Sequence, residues 1–280
     1  VDSDRYAFSE PGGVATPTAI REPGYVLFLA GMMLVDPGFG SFTLDCLTAS
    51  SPCATDIYAS LRWANSLFIA LSGLLLFQLV DRAGLGRGAA HAVLVMTLLN
   101  FAAASSRHYL VSDYLAMALL SAMLLAFLLA RQQASIAWAG AAALLLAALV
   151  LTKAVFFYFA LLALALFGLL VLLALLRGNR RGLAGFAVAL VLFGLPVGLW
   201  MQRNQQELGH AVLAENRGGL ALGIRDQFTG MSAGEFGMAF LWWTRSVGDN
   251  WARDLFPPES YRRFQQHLDG SFYDQGIRDY

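Results

Sequence analysis

Ionisable residues recur at five separated points of an otherwise apolar chain, and their types define a narrow chemistry. Asp2, Asp4, Tyr6, Arg21 and Glu22 form the first group, and Arg107, His108 and Asp113 the second. Lys153 stands in LVLTKAVFF, Arg203 and Asn204 lie in GLWMQRNQQELG, and Arg225 closes the series. Of 19 basic residues 18 are arginine, so Lys153 is the single lysine of the chain. Arginine and lysine at the mouth of a helical cavity hold a phosphate or pyrophosphate through charge-assisted hydrogen bonds. Carboxylates beside them suit general-base work, taking a proton from a hydroxyl or amine as it attacks. The same cations stabilise the charge that builds on a departing phosphate. An anionic lipid head group with its tail among helices fits this set. His91, His210 and His267 are scattered, so no metal cluster is visible and no cofactor is expected. GRGAA (86–90) and RGGLALG (217–223) lack the Lys-Ser/Thr of a phosphate loop.

The elements that position these groups follow from composition. The 280 residues are 58% hydrophobic and 14% charged, with a mean hydropathy of +0.57. Soluble domains carry about 25% charged residues, which argues against a water-soluble enzyme. A net charge of zero without a long basic run argues against nucleic acid as a partner. The expected fold is an all-α polytopic membrane protein. A transmembrane helix needs about 20 mostly apolar residues, and six stretches meet or approach that: 60–80, 88–104, 110–130, 134–152, 154–176 and 182–200. The run from Gly24 to Val35 has only 12 residues and suits an interfacial helix.

Charge asymmetry orients the bundle. The connections 81–88, 130–133 and 177–182 carry six arginines against one acid, Asp81. The positive-inside rule places them in the cytoplasm. Residues 1–58 and 201–280 then lie outside, flanking a six-helix domain over 59–200. A bacterial inner membrane with a periplasmic active face is the expected setting. Cys46 and Cys53, the only cysteines, fall in the outer segment and are expected to form a disulfide. The segment 234–247, GEFGMAFLWWTRSV, reads as an amphipathic helix in a partly helical outer C-terminal region. The chain opens Val-Asp-Ser-Asp without an initiator Met or signal region, which reads as an internal piece of a longer protein whose first span precedes it. On this topology the ionisable groups collect at one membrane edge, where such groups are expensive and mark functional sites.

The order of motifs resembles polytopic membrane glycosyltransferases of the GT-C type, in the protein O-mannosyltransferase and aminoarabinose-transferase-like branch. DSDRY (2–6) is similar to that family's acidic D-x-x-x-Y motif. REPGYVLFLAG (21–31) is similar to its R-x-P-G-Y-P-L-F-L-A segment, with Val26 where proline is usual. SSRHYLVSDYLAMALL (105–120) resembles the segment carrying a second aspartate, and LTK (151–153) resembles the L-T-K motif. Residues 196–225 are similar to the family's P-W-x-x-R-N-x-x-x-x-G stretch and the segment after it. The resemblance implies an inverting transfer of a sugar from a polyprenyl-phosphate donor to an acceptor lipid, glycan or protein. It casts Asp2 as general base, with Asp4 as the alternative because Ser3 stands where the family often has glutamate. Asp113 becomes a supporting acid, and Lys153, Arg203, Arg107, His108 and Arg225 bind donor phosphate or lipid. Tyr6, Arg21, Glu22, Tyr25 and Asn204 take substrate-contacting positions.

Two other functions compete. A transporter or lipid flippase places charged groups and broken helices at the bilayer midplane, whereas these charges cluster at one edge. A noncatalytic subunit of a larger membrane complex would keep the fold as a scaffold, and the Asp2-Ser3 pair keeps that reading open.

Overall fold

The structure is a computed structural model. It describes residues 7–8, 16–17, 22–40, 59–99, 112–178 and 181–214, together with 232–234, 237, 254–259 and 262. Residues to Ala214 form one compact unit and those from Glu215 a second. In the second unit the described residues include an exposed ion pair between Arg262 and Glu259 at 2.8 Å.

The described part of the first unit is helical, apart from a two-residue ladder in which β1 (Ala7–Phe8) pairs antiparallel with β2 (Thr16–Pro17). Helix α1 runs over Pro23–Val35 and α2 over Pro37–Gly40. Among the described residues six further helices come after them: α3 (Ala59–Arg82), α4 (Arg87–Leu98), α5 (Asp113–Gln133), α6 (Ile136–Thr152), α7 (Phe156–Leu176) and α8 (Arg181–Leu208). Each sits where an apolar run predicts a span. Four of them, α3, α5, α7 and α8, are long and apolar enough to cross a membrane. This is the make-up of a membrane protein. The 17 residues of α6 and the 12 of α4 are shorter, and residues 100–104 of the expected second span lie outside the described residues. Helix α1, with 13 residues, extends about 20 Å at 1.5 Å per residue, too short for a hydrocarbon core of roughly 30 Å.

Helix α6 is central, packed between α5 and α8, while α3 packs on α5 and α4. Small residues make these approaches close, as they do where helices pack without a hydrophobic drive between them. Ala143, Ala147 and Val150 of α6 meet Ala116 and Met123 of α5 and Ala189, Phe193 and Val197 of α8 in one buried cluster. At Gly140 an added Cβ would stand 3.0 Å from Leu192 and 3.4 Å from Val188, which fixes α6 tightly against α8. Helix α7 is the contrast. It is a continuous apolar run, yet of its 21 residues only Ala160 and Val171 are buried, so most of its leucines face outward as a lipid-exposed helix requires.

The arginine connections share one end. Gln132 Nε2 donates to the Arg82 carbonyl at 2.9 Å, tying the end of α5 to the end of α3. The opposite end gathers the starts of α5 and α7 and the ends of α6 and α8. Helix α8 runs to Leu208, past the expected limit at 200, and stops where Gly209 takes a positive φ of 81°. Gln202, Gln205 and Glu207 carry the helix beyond its apolar run because they are good helix formers.

Candidate functional site

The site is built where the α6–α7 connection turns. Helix α6 ends at Thr152, and Lys153 takes an extended conformation (φ −146°, ψ 108°) before α7 starts at Phe156. Lys153 N–H still bonds back to Leu149, whereas Ala154 N–H has lost its helical partner. Glu22 supplies one from far away in sequence: its Oε1 accepts the Ala154 N–H at 3.1 Å across 132 residues. The Glu22 side chain is buried for this purpose and makes no cap bond to its own helix. Pro23 stands in the first turn of α1, where its missing N–H costs nothing. Gly24 comes next because nothing larger fits. A Cβ there would lie 2.7 Å from Thr152 Oγ1 and 2.9 Å from the Leu151 carbonyl. Thr152 is itself fixed, donating to the Ala148 carbonyl at 2.7 Å.

With α1 seated on the end of α6, three charged or polar groups converge. Lys153 Nζ pairs with Asp113 Oδ1 at 2.5 Å. Asp113 is the first residue of α5 and lies in its first turn, where a carboxylate also meets the positive end of the helix dipole. The cap position belongs to Ser112, where no side-chain cap bond forms. Tyr25, one residue beyond Gly24, has a buried hydroxyl without a hydrogen-bond partner. Burial, reinforced by the Asp113 charge, pushes its pKa up to about 12, so the hydroxyl stays a neutral donor. An unsatisfied buried hydroxyl is rare enough to call for a ligand or water. Its ring stacks on Phe28 (5.7 Å between centroids), and Phe28 meets Phe68 of α3 (5.3 Å).

Arg203 and Asn204 stand at the same end but are engaged differently. Helices α6 and α8 run parallel with Gly140 beside Val188 and Leu192, so Thr152 and Arg203 reach comparable heights. Arg203 donates to Asn204 Oδ1 at 2.9 Å and lies over the Trp200 ring, 5.2 Å from its centroid. Asn204 is fully buried and donates to the Val212 carbonyl at 2.7 Å, while Trp200 Nε1 donates to the Leu213 carbonyl at 2.9 Å. These bonds fold residues 209–214 back onto α8.

Of the residues singled out from sequence, the structure brings together Glu22, Tyr25, Asp113 and Lys153, and sets Arg203 and Asn204 on a neighbouring helix end. Asp2, Asp4, Tyr6, Arg21, Arg107, His108, Arg225 and the Cys46–Cys53 pair lie outside the described residues, as does most of the 234–247 segment. Among the described residues no group of His, Cys, Asp and Glu has the arrangement of a metal site. Gly24, Thr152 and the Ala154 amide join the site without standing out by residue type. The signal for them is Pro-Gly opening a helix directly after an acid, a pattern that marks close backbone approach. The arrangement offers one ammonium with two N–H bonds unused by Asp113, one exposed carboxylate and, buried within reach of the Asp113 charge, one phenolic donor. No family profile, curated protein sequence or solved structure matches the chain.

Proposed function

We propose that the protein is a GT-C-type membrane glycosyltransferase that moves a sugar from a polyprenyl-phosphate donor to an acceptor on the non-cytoplasmic face. The observation that carries this reading is the meeting of three segments distant in sequence. REPGY, the Asp113 segment and LTK touch through Glu22–Ala154, Gly24–Thr152 and Lys153–Asp113. These are three of the five segments on which the resemblance rests.

In this reading six helices span the membrane, α1 lies in the interface, and the arginine connections face the cytoplasm of a bacterial inner membrane. Lys153 binds the donor phosphate with its free N–H bonds, and Tyr25 donates a second hydrogen bond. An acceptor hydroxyl attacks the anomeric carbon as Asp2 or Asp4 takes its proton. The bond from that carbon to the phosphate oxygen breaks, and its electron pair stays on the phosphate, which leaves as polyprenyl phosphate. Attack opposite the leaving group inverts the anomeric centre. Lys153 stabilises the charge growing on the phosphate. A transporter would carry such charges near the midplane, whereas Asp113 and Lys153 stand at helix ends.

The test uses membranes carrying the full-length protein with radiolabelled polyprenyl-phosphate sugars. Wild type should transfer label, Lys153→Ala should not, and one of Asp2→Asn or Asp4→Asn should abolish transfer. Intact protein that transfers from no donor would overturn the reading.

A further inference from the structure

At the opposite end of the bundle from Lys153, a cavity of about 580 Å³ opens between α5, α6, α7 and α8. It exists because small residues face one another: Ala139 and Ala143 on α6, Ala163 and Ala174 on α7, and Gly185 on α8 leave space that no side chain fills. Phe127 and Phe167 wall it, meeting edge-on at 6.5 Å between centroids. The volume lies within the roughly 300–1,000 Å³ of small-ligand sites. Among the described residues its one charged lining residue is Arg131, exposed at the mouth. Arg131 pairs with no carboxylate among the described residues.

We propose that this crevice holds an acyl chain of an anionic phospholipid from the leaflet on the arginine side, with the lipid phosphate at Arg131. Depth decides between occupants. The lining runs from Met123 on α5 to its C-cap residue Ala134, about 16 Å at 1.5 Å per residue, half of a hydrocarbon core of roughly 30 Å. One leaflet's chain fits that depth, whereas a partner's transmembrane helix needs the full thickness. Trp138 marks the height of the interface beside the mouth. Its indole N–H reaches Gln133 at 3.2 Å while the ring stays partly exposed, the habit of tryptophan at a membrane surface. Charge complementarity fixes the head group. Arg82, Arg87 and Arg177 are exposed at the same end, against the single acid Asp81, and basic pockets between membrane helices bind anionic head groups. This lipid is distinct from any donor bound at Lys153, and the inference does not depend on the transferase reading.

The experiment is native mass spectrometry of the full-length protein in detergent, titrated with dioleoyl-phosphatidylglycerol or dioleoyl-phosphatidylcholine. Phosphatidylglycerol should bind about fivefold more tightly or better, and Arg131→Gln should remove that preference without changing elution on a sizing column. Ala174→Phe and Ala163→Phe fill the crevice from two levels of α7 and should lower retention of both lipids. Arg62→Gln, in the first turn of α3 at the other end of the bundle, should leave the preference intact. Equal binding of the two lipids, or a preference that survives Arg131→Gln, would overturn the proposal. So would a photo-crosslinker at position 174 that captures a protein helix instead of lipid.

Discussion

Gly24 is the contact on which the site's geometry turns, and Gly24→Ala is the smallest perturbation that tests it. The new Cβ would stand 2.7 Å from Thr152 Oγ1 and 2.9 Å from the Leu151 carbonyl carbon and oxygen, where ordinary contact begins at 3.4 Å. Helix α1 must therefore retreat by about 0.5–0.7 Å, since Leu151 presents backbone and Thr152 is held by Ala148. Overpacking of this kind costs about 1–3 kcal/mol, a shift of roughly 5–150-fold in the docking equilibrium. Alanine's helix propensity returns up to about 1 kcal/mol in a helix interior and less in the first turn, so undocking wins. An undocked helix of 13 residues is marginal in water, which makes amide exchange the natural readout. In the full-length protein, exchange over 27–35 should accelerate at least fivefold in Gly24→Ala while α5 and α6 keep their protection. Gly31→Ala is the matched control, because nothing lies within 4 Å of its Cβ, and it should slow exchange or leave it unchanged. Sugar transfer should fall with α1 docking, as Glu22 and Tyr25 leave the site. If α1 in Gly24→Ala exchanges as slowly as in wild type, the close approach is not what seats the helix.

Three further outcomes rest on the same geometry. Glu22→Ala leaves the Ala154 N–H without its acceptor and should cost about 1–3 kcal/mol, whereas Glu22→Gln keeps a carbonyl oxygen there and should cost clearly less; equal thermal unfolding of the two variants would contradict the bond. Asp113→Asn and Lys153→Ala should change stability by no more than about 1 kcal/mol, because the Asp113 side chain is 62% exposed; both should nevertheless cut transfer severely, and a loss of transfer that merely tracks unfolding would refute a role in the site. Tyr25 gives a pH signature. Its pKa of about 12 lies above the ordinary tyrosine value of 10.0, so between those values the folded chain holds a proton that the unfolded chain has released. Stability should therefore be unaffected below pH 10 and fall as pH rises toward 12. The difference between wild type and Tyr25→Phe isolates this, and parallel profiles through that window would count against a buried Tyr25 hydroxyl.

Hydropathy makes the helices legible. The apolar runs 60–80, 154–176 and 182–200 find α3, α7 and α8, and their error lies where apolarity stops reporting on helicity. Residues 201–208 are polar but helix-forming, so the run ends before the helix does. The break at Lys153 is visible as a lone cation between apolar stretches. Its pairing with Asp113 is not, because spacing along the chain says nothing of which helix ends share a bundle end. That depends on α5 packing against α6 through Ala116, Met123, Ala143 and Ala147. The crevice is illegible for a related reason. Alanine-rich sequence such as AAALLLAALVL is what close helix packing uses, and a volume deficit emerges only once four helices are assembled with α7 held loosely.

The ion pair at rest bears directly on how an anionic donor would enter. Lys153 keeps 26% of its side chain exposed, so water and Asp113 share the balancing of its charge. Asp113 supplies the counter-charge but does not depend on Lys153 alone, since it sits in the first turn of α5 and the helix dipole favours its carboxylate by about 0.3–1 kcal/mol. Its exposure lets water solvate what the lysine gives up. In the proposed reaction the donor phosphate thus exchanges one anion for another at Lys153, and neither partner is left bare. Tyr25 makes the exchange selective. Its hydroxyl has no acceptor at rest and cannot ionise at neutral pH, so in the proposed reaction it is the donor left for a phosphate oxygen to satisfy. A neutral lipid would break the pair without that return, which is why charge on the ligand, more than the shape of its sugar, should govern admission to this mouth.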